Sequence, residues 1–199
     1  MMATTFIKPD LPSISSKLSN KLALVTGGCS GIGLALVKLL HSSGCDVIVG
    51  DIHPPPEADP VFTSSTNSPG GVVYRSCDVS QWQSLRSLFA TVTESFPGRK
   101  LDIVVANVGI NEYGDQILQE QAEREVTEPD YRVLDVNVKG VSNTVTLALG
   151  YMRNLPRNDG KDTTGGNIII TASLAGYMGV AGMPLYSASK HGRSAFYFV

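Results

Sequence analysis

Short apolar runs alternate along this chain with stretches in which apolar residues recur every three or four positions. The runs at 22–26, 46–50, 72–77, 101–106 and 167–171 have the length and composition of buried parallel strands. Helical spacing is found in four segments: at 32–40, after Ser80, at 130–154 and from Tyr186 onward. Ser80 can cap the second of these. Because right-handed crossovers place helices on both faces, the pattern predicts a doubly wound parallel α/β sheet in three α/β/α layers.

The apolar positions also predict which face of each helix meets the sheet. In the first helix they are Ile32, Ala35, Leu36, Leu39 and Leu40, and in the second they are Leu85, Leu88, Phe89, Val92 and Phe96. In the long helix they are Leu134, Val138, Val141, Val145, Leu149 and Met152. Gly44 stands where the first helix should end, and the strongly apolar run at 101–106 is expected near the centre of the sheet.

Polar and proline-rich stretches mark the segments outside this alternation. Residues 53–71 hold five prolines and predict a loop with little regular structure, and loops are also expected at 111–128 and 155–166. Residues 1–20 are rich in Ser, Thr and Pro, and we interpret them as a flexible arm before a single domain at 21–199.

Composition argues against several classes of function. The 199 residues carry a net charge of −2, which gives no basis for binding nucleic acid or an anionic membrane. No apolar run is long enough to span a bilayer and no secretory signal is apparent, so we expect a cytoplasmic protein. Cys29, Cys45 and Cys77 are widely spaced, which favours reduced thiols over a disulfide or a metal site.

Glycines cluster between the first predicted strand and the first predicted helix. In the stretch Thr-Gly-Gly-Cys-Ser-Gly-Ile-Gly at 26–33, they let the backbone approach a pyrophosphate, to which the helix N-terminus offers unpaired N–H groups. Asp51 follows the second strand, where a carboxylate can accept both hydroxyls of an adenosine ribose and would repel a 2′-phosphate. No Lys or Arg occurs between Cys45 and Asn67, so NAD is expected rather than NADP. The alternative is a solvated Asp at a strand end.

Tyr186 and Lys190 lie four positions apart in a predicted helix and therefore share a face. Tyrosine is a poor base near neutral pH, and a neighbouring ammonium would stabilise its phenolate form. Ser173, at the end of the fifth predicted strand, can hydrogen-bond a substrate oxygen. Taken singly, each residue also has a structural explanation, since Tyr–Lys pairs arise by chance and a Ser at a strand end often caps the next element.

Three motifs together resemble the short-chain dehydrogenase/reductase family from about residue 18 onward: Gly-x-x-x-Gly-x-Gly, Asn-Val-Gly after the fourth strand, and Tyr-x-x-x-Lys. The resemblance implies a Rossmann-type fold that binds NAD or, less favoured here, NADP. It assigns to the dinucleotide Gly27, Ser30, Gly31, Ile32, Gly33, Asp51, Asp78, Val79, Asn107, Gly109, Tyr186 and Lys190. The third-strand pair Asp78-Val79 would contact adenine. One motif departs from the family, which often has Asn where this chain has Ala106 and Ala where it has Val108.

The resemblance also implies a chemistry without a metal. Hydride would pass between nicotinamide and the carbon of a secondary alcohol or ketone, with Tyr186 as general base or acid and Lys190 on the nicotinamide ribose. Ser173 would hold the substrate oxygen. Asn137 would kink the long helix and hold a water in a proton relay to Lys190. Small residues around Gly176, Gly179 and Gly182 favour a roomy apolar substrate such as a steroid, terpenoid or polyketide alcohol.

Family members usually continue beyond the Tyr-x-x-x-Lys helix with further strands and substrate-covering helices. We therefore expect a sheet that lacks the last strands of the family fold and whose fifth strand is an exposed apolar edge. The homodimer or tetramer typical of the family would lose part of its helix contact. Two functions stay open: an active NAD-dependent alcohol dehydrogenase or ketone reductase, and an impaired relative that keeps dinucleotide or partner binding.

Overall fold

A parallel sheet of five strands lies at the centre of the computed structural model, which describes residues 16–57, 59–63, 71–112, 128–154 and 165–194. Its strands are β1 (Leu22–Thr26), β2 (Asp46–Asp51), β3 (Val72–Ser76), β4 (Ile103–Ala106) and β5 (Asn167–Ile170). The α-helices are α1 (Gly31–Ser42), α2 (Pro60–Thr63), α3 (Trp82–Ser95), α4 (Arg132–Leu134), α5 (Val141–Asn154) and α6 (Pro184–Ser194). A π-helical turn, Asp135–Gly140, joins α4 to α5, and a 3₁₀ turn, Leu174–Gly176, follows β5.

The strands lie in the order β3-β2-β1-β4-β5, and every neighbouring pair is parallel. β1 and β4 are buried along their whole length, because each has a partner strand on both sides. The chain runs from β1 to one side of the sheet and then returns to β4 on the other side. This reversal opens a crevice at the carboxyl ends of β1 and β4, where ligands bind in doubly wound folds.

Alternate residues of the strands point to opposite faces and build two separate cores. On one face, α3 and α5 pack against the sheet through Leu85, Leu88, Phe89, Val92, Ala148 and Met152, which meet Leu22, Leu24, Ile48 and Val104. On the other face, α1 and α2 contribute Val37, Leu40 and Val61, which meet Ala23, Val25, Val47, Val49 and Val105. Helices cover both faces, and the predicted three-layer Rossmann-type fold is confirmed.

The prediction that Ser80 caps the helix after the third strand is wrong. Ser80 does not cap α3, because its N–H and its hydroxyl both donate to Asp78 Oδ1, at 2.9 and 2.7 Å, and Gln81 is the N-cap residue. The stretch predicted as loop at 53–71 contains the short helix α2, where Asp59 Oδ1 accepts from Val61 N at 3.2 Å. Residues 58 and 64–70 of that stretch lie outside the described residues.

The face that α1 turns toward the sheet differs from the prediction. Its buried positions are Gly33, Val37 and Leu40. Ile32, predicted to be part of the apolar stripe, is 65% exposed. Ala35 and Leu39, also predicted for this stripe, are exposed as well. Gly33 lies in close contact with the turn before the helix, so the buried face runs through Gly33, Val37 and Leu40 instead. The end of α1 is as predicted, since Gly44 has a φ of +81° and donates its N–H to His41 O at 2.9 Å.

The segment predicted as one long helix consists of α4, the π turn and α5. In a π turn the hydrogen bonds span one residue more than in an α-helix, so one extra residue is accommodated. The kink that the family resemblance implies at Asn137 lies within this π turn. Most of the two loops expected on either side, at 111–128 and 155–166, lies outside the described residues.

Residues 16–20, the described part of the predicted arm, lie against the domain. Leu18 packs on the core of α1, and its carbonyl accepts from Cys45 Sγ at 3.1 Å. Asn20 donates its N–H to Gly44 O at 3.0 Å and accepts from Arg99 Nη2 at 2.8 Å. Ordered contacts therefore begin before residue 21, and residues 1–15 lie outside the described part.

β5 is an edge strand in the part of the chain that the structure describes. Ile169 on its outer face is 51% exposed, and Ile168 and Ile170 are half-buried. The apolar edge that the sequence predicts is thus present among the described strands.

Candidate active site

The stretch at 26–33 forms a tight turn between β1 and α1. Gly27 donates its N–H to Gly50 O at 2.6 Å, which holds the turn against β2. Gly33 has no room for a side chain, since a Cβ there would overlap the carbonyl oxygen of Gly27 and lie 2.7 Å from Asn107 Nδ2. Gly31 differs, because it has a φ of +51° and open space where its Cβ would lie. The turn is packed on its inner side and open on its outer side.

The open side of this turn has the donors that a pyrophosphate requires. Ser30 is the N-cap of α1, is exposed, and makes no side-chain capping hydrogen bond. Helix geometry leaves the first N–H groups of α1 without partners inside the helix. Ile32 is exposed beside them. An uncapped helix N-terminus approached through glycine fits the phosphates of a dinucleotide, so the residues present here fit that cofactor.

Asp51 ends β2 next to the glycine turn and is buried. Its Oδ2 accepts from Cys29 N and its Oδ1 from His53 N, both at 3.0 Å. The Tyr74 hydroxyl donates to its carbonyl oxygen at 3.2 Å. An ionised carboxylate has about four acceptor positions, so the side chain keeps capacity for ribose hydroxyls.

Asp78 and Val79 follow β3 and are held in place by neighbouring groups. Asp78 donates its N–H to Ser84 Oγ at 3.0 Å. Val79 is buried against Gly140 of the π turn, where a Cβ would lie 2.8 Å from Val79 Cγ2. The pair is therefore positioned between β3 and the π turn, and its contact with adenine stays a prediction.

Asn107 connects the glycine turn to the end of β5. Its Nδ2 donates to Gly27 O at 3.2 Å, and its Oδ1 accepts from Thr171 Oγ1 at 3.0 Å. Its N–H donates to Thr26 Oγ1 at 3.2 Å. These bonds span β1, β4 and β5, so Asn107 fixes the inner wall of the crevice.

Asn137 lies in the π turn and is completely buried, at 0% exposure. Its side-chain amide pairs with the backbone of Ile110, accepting from N at 2.9 Å and donating to O at 2.8 Å. Its Nδ2 also donates to Ser189 Oγ at 3.0 Å, and that hydroxyl donates to Tyr186 O at 2.7 Å. Asn137 thereby links the segment after β4 to the helix that carries Tyr186.

Tyr186 and Lys190 lie on one face of α6, with Lys190 Nζ 5.4 Å from the centroid of the Tyr186 ring. Lys190 is buried, and its Nζ donates to Thr171 O at a long 3.4 Å. Burial, and to a lesser extent the charge of Arg193, lowers the pKa of Lys190 from 10.5 to about 8. The Lys190 side chain can therefore exchange between its ammonium and neutral amine forms close to neutral pH.

Ser173 follows β5 and caps the 3₁₀ turn, where its Oγ accepts from Ala175 N at 3.2 Å. Ser173 therefore does cap the element that follows its strand, and its hydroxyl hydrogen can still donate to another oxygen. The 3₁₀ turn packs against α6, and Val180 N donates to Ser187 Oγ at 3.0 Å in the segment that follows. These contacts hold the turn with Ser173 against the helix with Tyr186.

Glu112 is a site residue that sequence reasoning missed. Its Oε2 accepts from Tyr186 N at 2.6 Å. Because α6 begins at Pro184, this N–H lies in the first helical turn and has no acceptor within the helix. A carboxylate near a helix N-terminus is also electrostatically favourable. Glu112 stands in a polar stretch, and nothing in its spacing connects it to Tyr186.

Arg193 was also missed, and it is buried to 1% exposure beside Lys190. Its guanidinium donates to main-chain carbonyls of Asn137, Thr171 and Val108. Gly109 borders the same space, since a Cβ there would lie 3.3 Å from Arg193 Nη2 and 3.4 Å from Lys190 Nζ. One signal could have found Arg193, because it shares a helical face with Lys190 at i+3.

The three cysteines are free and buried. Burial raises the pKa of Cys29 to about 12 and the pKa values of Cys45 and Cys77 to about 11, so these thiols are poor nucleophiles. Within the described ranges, no group of three or more His, Cys, Asp or Glu side chains could hold a metal ion. Nor does that part of the chain contain a helix long and apolar enough to cross a membrane.

Known proteins resemble this chain along most of its length. A short-chain dehydrogenase/reductase, prx4, from Penicillium roqueforti is 32% identical over 195 residues, which are 96% of this chain and 51% of that protein. The NADP-dependent dehydrogenase M3 from Phoma sp. is 38% identical over 181 residues, covering 88% of this chain and 52% of that protein. A crystal structure of a short-chain type dehydrogenase/reductase from Mycobacterium marinum superposes with a TM-score of 0.70 at 27% identity, covering 90% and 65% of the two chains.

The chain spans about half the length of the curated relatives it matches. A family model described as short chain dehydrogenase matches residues 21–198, which include the glycine turn and the helix with Tyr186 and Lys190. On this match, and on the fold that it shares with the solved relative, the chain belongs to the short-chain dehydrogenase/reductase family.

Proposed function

We propose that this chain carries the dinucleotide site and the catalytic groups of an enzyme that transfers hydride between NAD and a secondary alcohol or ketone. One observation carries the proposal: Tyr186 and Lys190 share a face of α6 at the strand ends where the glycine turn also lies. The relatives support it, since they are named dehydrogenases or reductases.

Bound dinucleotide would supply the hydride acceptor or donor at its nicotinamide ring. The Tyr186 phenolate takes the proton of the substrate oxygen during oxidation, and the resulting phenol returns a proton to that oxygen during reduction. The ammonium of Lys190 favours the phenolate form of Tyr186 through its charge and can donate to ribose hydroxyls. Ser173 donates its hydroxyl hydrogen to the substrate oxygen, while Asn137 and Glu112 hold the Tyr186 helix in position.

An apolar surface next to these groups supports an apolar substrate of moderate size. Leu174, Tyr177, Met178 and Val180 follow Ser173 and are all exposed. Burying such side chains against a ligand is favourable by about 25 cal/mol per Å² of apolar surface. We infer that the substrate presents its alcohol or ketone to Tyr186 and its apolar body to this surface.

Replacing Tyr186 with Phe tests the catalytic assignment directly. We expect turnover to fall by about 10²–10⁴-fold, which is the usual contribution of a positioned general acid or base. Dinucleotide affinity should change little, because the aromatic ring is retained. Turnover is measured by the absorbance of reduced nicotinamide with a panel of secondary alcohols and ketones, and affinity by calorimetry.

The matched control for this experiment is Tyr131→Phe. Tyr131 is exposed at the start of α4, so loss of its hydroxyl should leave turnover unchanged. Equal turnover in wild type and Tyr186→Phe would contradict the catalytic role of Tyr186.

The cofactor preference rests on Asp51, whose buried carboxylate lies at the glycine turn and would repel a 2′-phosphate. The relative from Phoma is named as NADP-dependent, so its cofactor differs from the NAD proposed for this chain. Asp51→Asn keeps the shape and the acceptor for Cys29 N but removes the charge. We expect the ratio of NADP to NAD affinity to rise about tenfold or more, since about 1.4 kcal/mol of relieved repulsion suffices.

Asp46→Asn is the control for this change, because Asp46 lies at the opposite end of the same strand. It should leave the NADP to NAD affinity ratio unchanged. If Asp51→Asn also leaves the ratio unchanged, Asp51 does not determine the cofactor preference.

A second candidate function is dinucleotide or partner binding without turnover. The exposed apolar groups of β5 and of the following segment, Ile169 and Leu174 among them, favour a surface that another polypeptide covers. This candidate predicts saturable NAD binding together with turnover that is negligible and equal in wild type and Tyr186→Phe.

A further inference from the structure

Arg193 carries a charge in a site where it has almost no contact with water. Buried guanidinium groups usually pair with carboxylates, yet no ion pair involving Arg193 occurs in the described ranges. Instead, Nε donates to Asn137 O at 2.7 Å, Nη1 to Thr171 O at 2.7 Å and Nη2 to Val108 O at 2.6 Å. One side chain thereby joins the π turn, the end of β5 and the segment after β4.

The guanidinium competes with Lys190 for one of these acceptors, the carbonyl oxygen of Thr171. Thr171 O accepts from Arg193 Nη1 at 2.7 Å and from Lys190 Nζ at only 3.4 Å. The first distance is that of a strong charge-assisted bond, and the second is near the limit of hydrogen bonding. Because an ammonium has three donors, Lys190 is left with hydrogen-bonding capacity for a ligand on the side of the Tyr186 ring and Gly109.

The positive charge of Arg193 also makes the surroundings of the Lys190 ammonium less favourable. Arg193 Nη2 and Lys190 Nζ border the same small space at Gly109, so two cations lie close together in a desolvated site. A like charge at such a distance disfavours protonation of the neighbouring amine. Burial lowers the pKa of Arg193 to about 10, so it keeps its charge at neutral pH while Lys190 titrates.

We propose that Arg193 is a positioning residue for Lys190: its guanidinium occupies the Thr171 carbonyl that would otherwise hold the ammonium, and it places a second, fixed positive charge beside that ammonium at Gly109. The residue to which the family resemblance assigns a relay water, Asn137, is in this chain an acceptor for Arg193 through its backbone carbonyl.

Among the residues that the structure describes, few other charged groups lie near this pair. On the elements packed against α6 they are Glu112, which accepts from Tyr186 N, and the exposed ion pairs Lys139–Asp135 of the π turn and Arg132–Asp130 at the start of α4. On α6 itself, Tyr186 faces both cations, since its ring centroid lies 5.4 Å from Lys190 Nζ and, although burial lowers the pKa of Arg193, the Tyr186 hydroxyl acts to raise it. His191, also on α6, is exposed and bonds Ser187 O. Neither Glu112 nor these exposed pairs shares an acceptor with Lys190, whereas Arg193 does.

The proposal is tested by following the Lys190 side chain by NMR in protein labelled with ¹³C-lysine, without dinucleotide or substrate. The Cε resonance is assigned by its loss in Lys190→Met and titrated from neutral to alkaline pH. In the wild type we expect a midpoint near the pKa of about 8. In Arg193→Gln, which keeps N–H donors but loses the charge, the midpoint should rise by about one unit or more.

Two further variants separate charge from structure. Arg193→Lys keeps a cation at the position and should keep the midpoint low, whereas Lys139→Met removes an exposed charge from the π turn and should not move it. An unchanged midpoint in Arg193→Gln would overturn the proposal. A wild-type midpoint at the ordinary lysine value would also overturn it, even if Arg193→Gln does not fold.

The importance of Arg193 for catalysis rests on the proposed function. The NMR titration of Lys190 does not, because it needs neither dinucleotide nor substrate. If no alcohol or ketone is turned over while the midpoints move as expected, the proposed function fails and the role of Arg193 stands. If activity is present, its loss at high pH should begin near pH 8 in wild type and later in Arg193→Gln.

Discussion

Alanine at Gly33 is expected to abolish dinucleotide binding and to lower the free energy of unfolding by at least about 3 kcal/mol. A Cβ at this position would overlap the carbonyl oxygen of Gly27 and lie 2.7 Å from Asn107 Nδ2. Neither atom can retreat easily. Gly27 is bonded through its N–H to Gly50 O, and Asn107 is bonded to both Gly27 and Thr171.

Gly31→Ala is the matched control for this substitution. Gly31 has a φ of +51°, but nothing lies within 4 Å of the position that its Cβ would occupy. Its replacement should therefore cost only the strain of a left-handed conformation, about 1 kcal/mol. Both variants are compared by urea unfolding, with Trp82 as the fluorescent reporter, and NAD binding by Gly33→Ala is compared with that of wild type by calorimetric titration. Equal losses of stability would show that the overlap at Gly33 relaxes without cost.

Lys190→Met is expected to remove catalysis and at the same time to stabilise the folded chain at pH 7. Lys190 is buried, and burial lowers its pKa from 10.5 to about 8, so folding disfavours the charged form. A shift of this size corresponds to about 3 kcal/mol. Methionine fills a similar volume without a charge, and a gain of up to that amount would raise Tm by about 5–10 °C.

The gain should depend on pH in a defined direction. Below pH 8 both the folded and the unfolded wild type hold the Lys190 proton, and the full cost of the buried charge is present. Between pH 8 and 10.5 the unfolded chain binds more protons than the folded chain, so wild-type stability rises with pH through this window. The stability difference between Lys190→Met and wild type should therefore shrink over the same range.

Thermal unfolding at several pH values measures this difference, and Lys139→Met provides the control. Lys139 is exposed and pairs with Asp135, so its loss should change Tm little at any pH. A Lys190→Met protein that is less stable than wild type at pH 7 would show that the contacts of the lysine outweigh the cost of its burial.

The sheet could be predicted because buried parallel strands are continuous apolar runs. All five predicted strands are present, and their ends differ from the prediction by at most a few residues. The positions at 27–33, Asp51, Asn107 and Ser173 follow predicted strands, and parallel strands gather their carboxyl ends at one edge. Their common location could therefore be inferred before any contact was known.

What could not be predicted depends on contacts between distant segments. Arg193 is a charged residue, and charged residues are mostly exposed, so only the tertiary placement of three carbonyls accounts for its burial. Ile32 was assigned to the buried face because the approach of Gly33 to Gly27 is invisible in helical periodicity. The roles of the predicted site residues in binding and catalysis stay predictions that the variants above test.

The π turn limits which deletions this chain can tolerate. Removing any single residue from Asp135–Gly140 would allow a regular α-helix to form across the break. Each residue of an α-helix turns the chain by about 100°, so α4 would then swing around the helix axis relative to α5. If the residue removed lies between Asn137 and α5, the amide of Asn137 would leave Ile110, and its carbonyl would leave Arg193. At most positions of this turn, the number of residues is therefore under a stronger physical constraint than their identity.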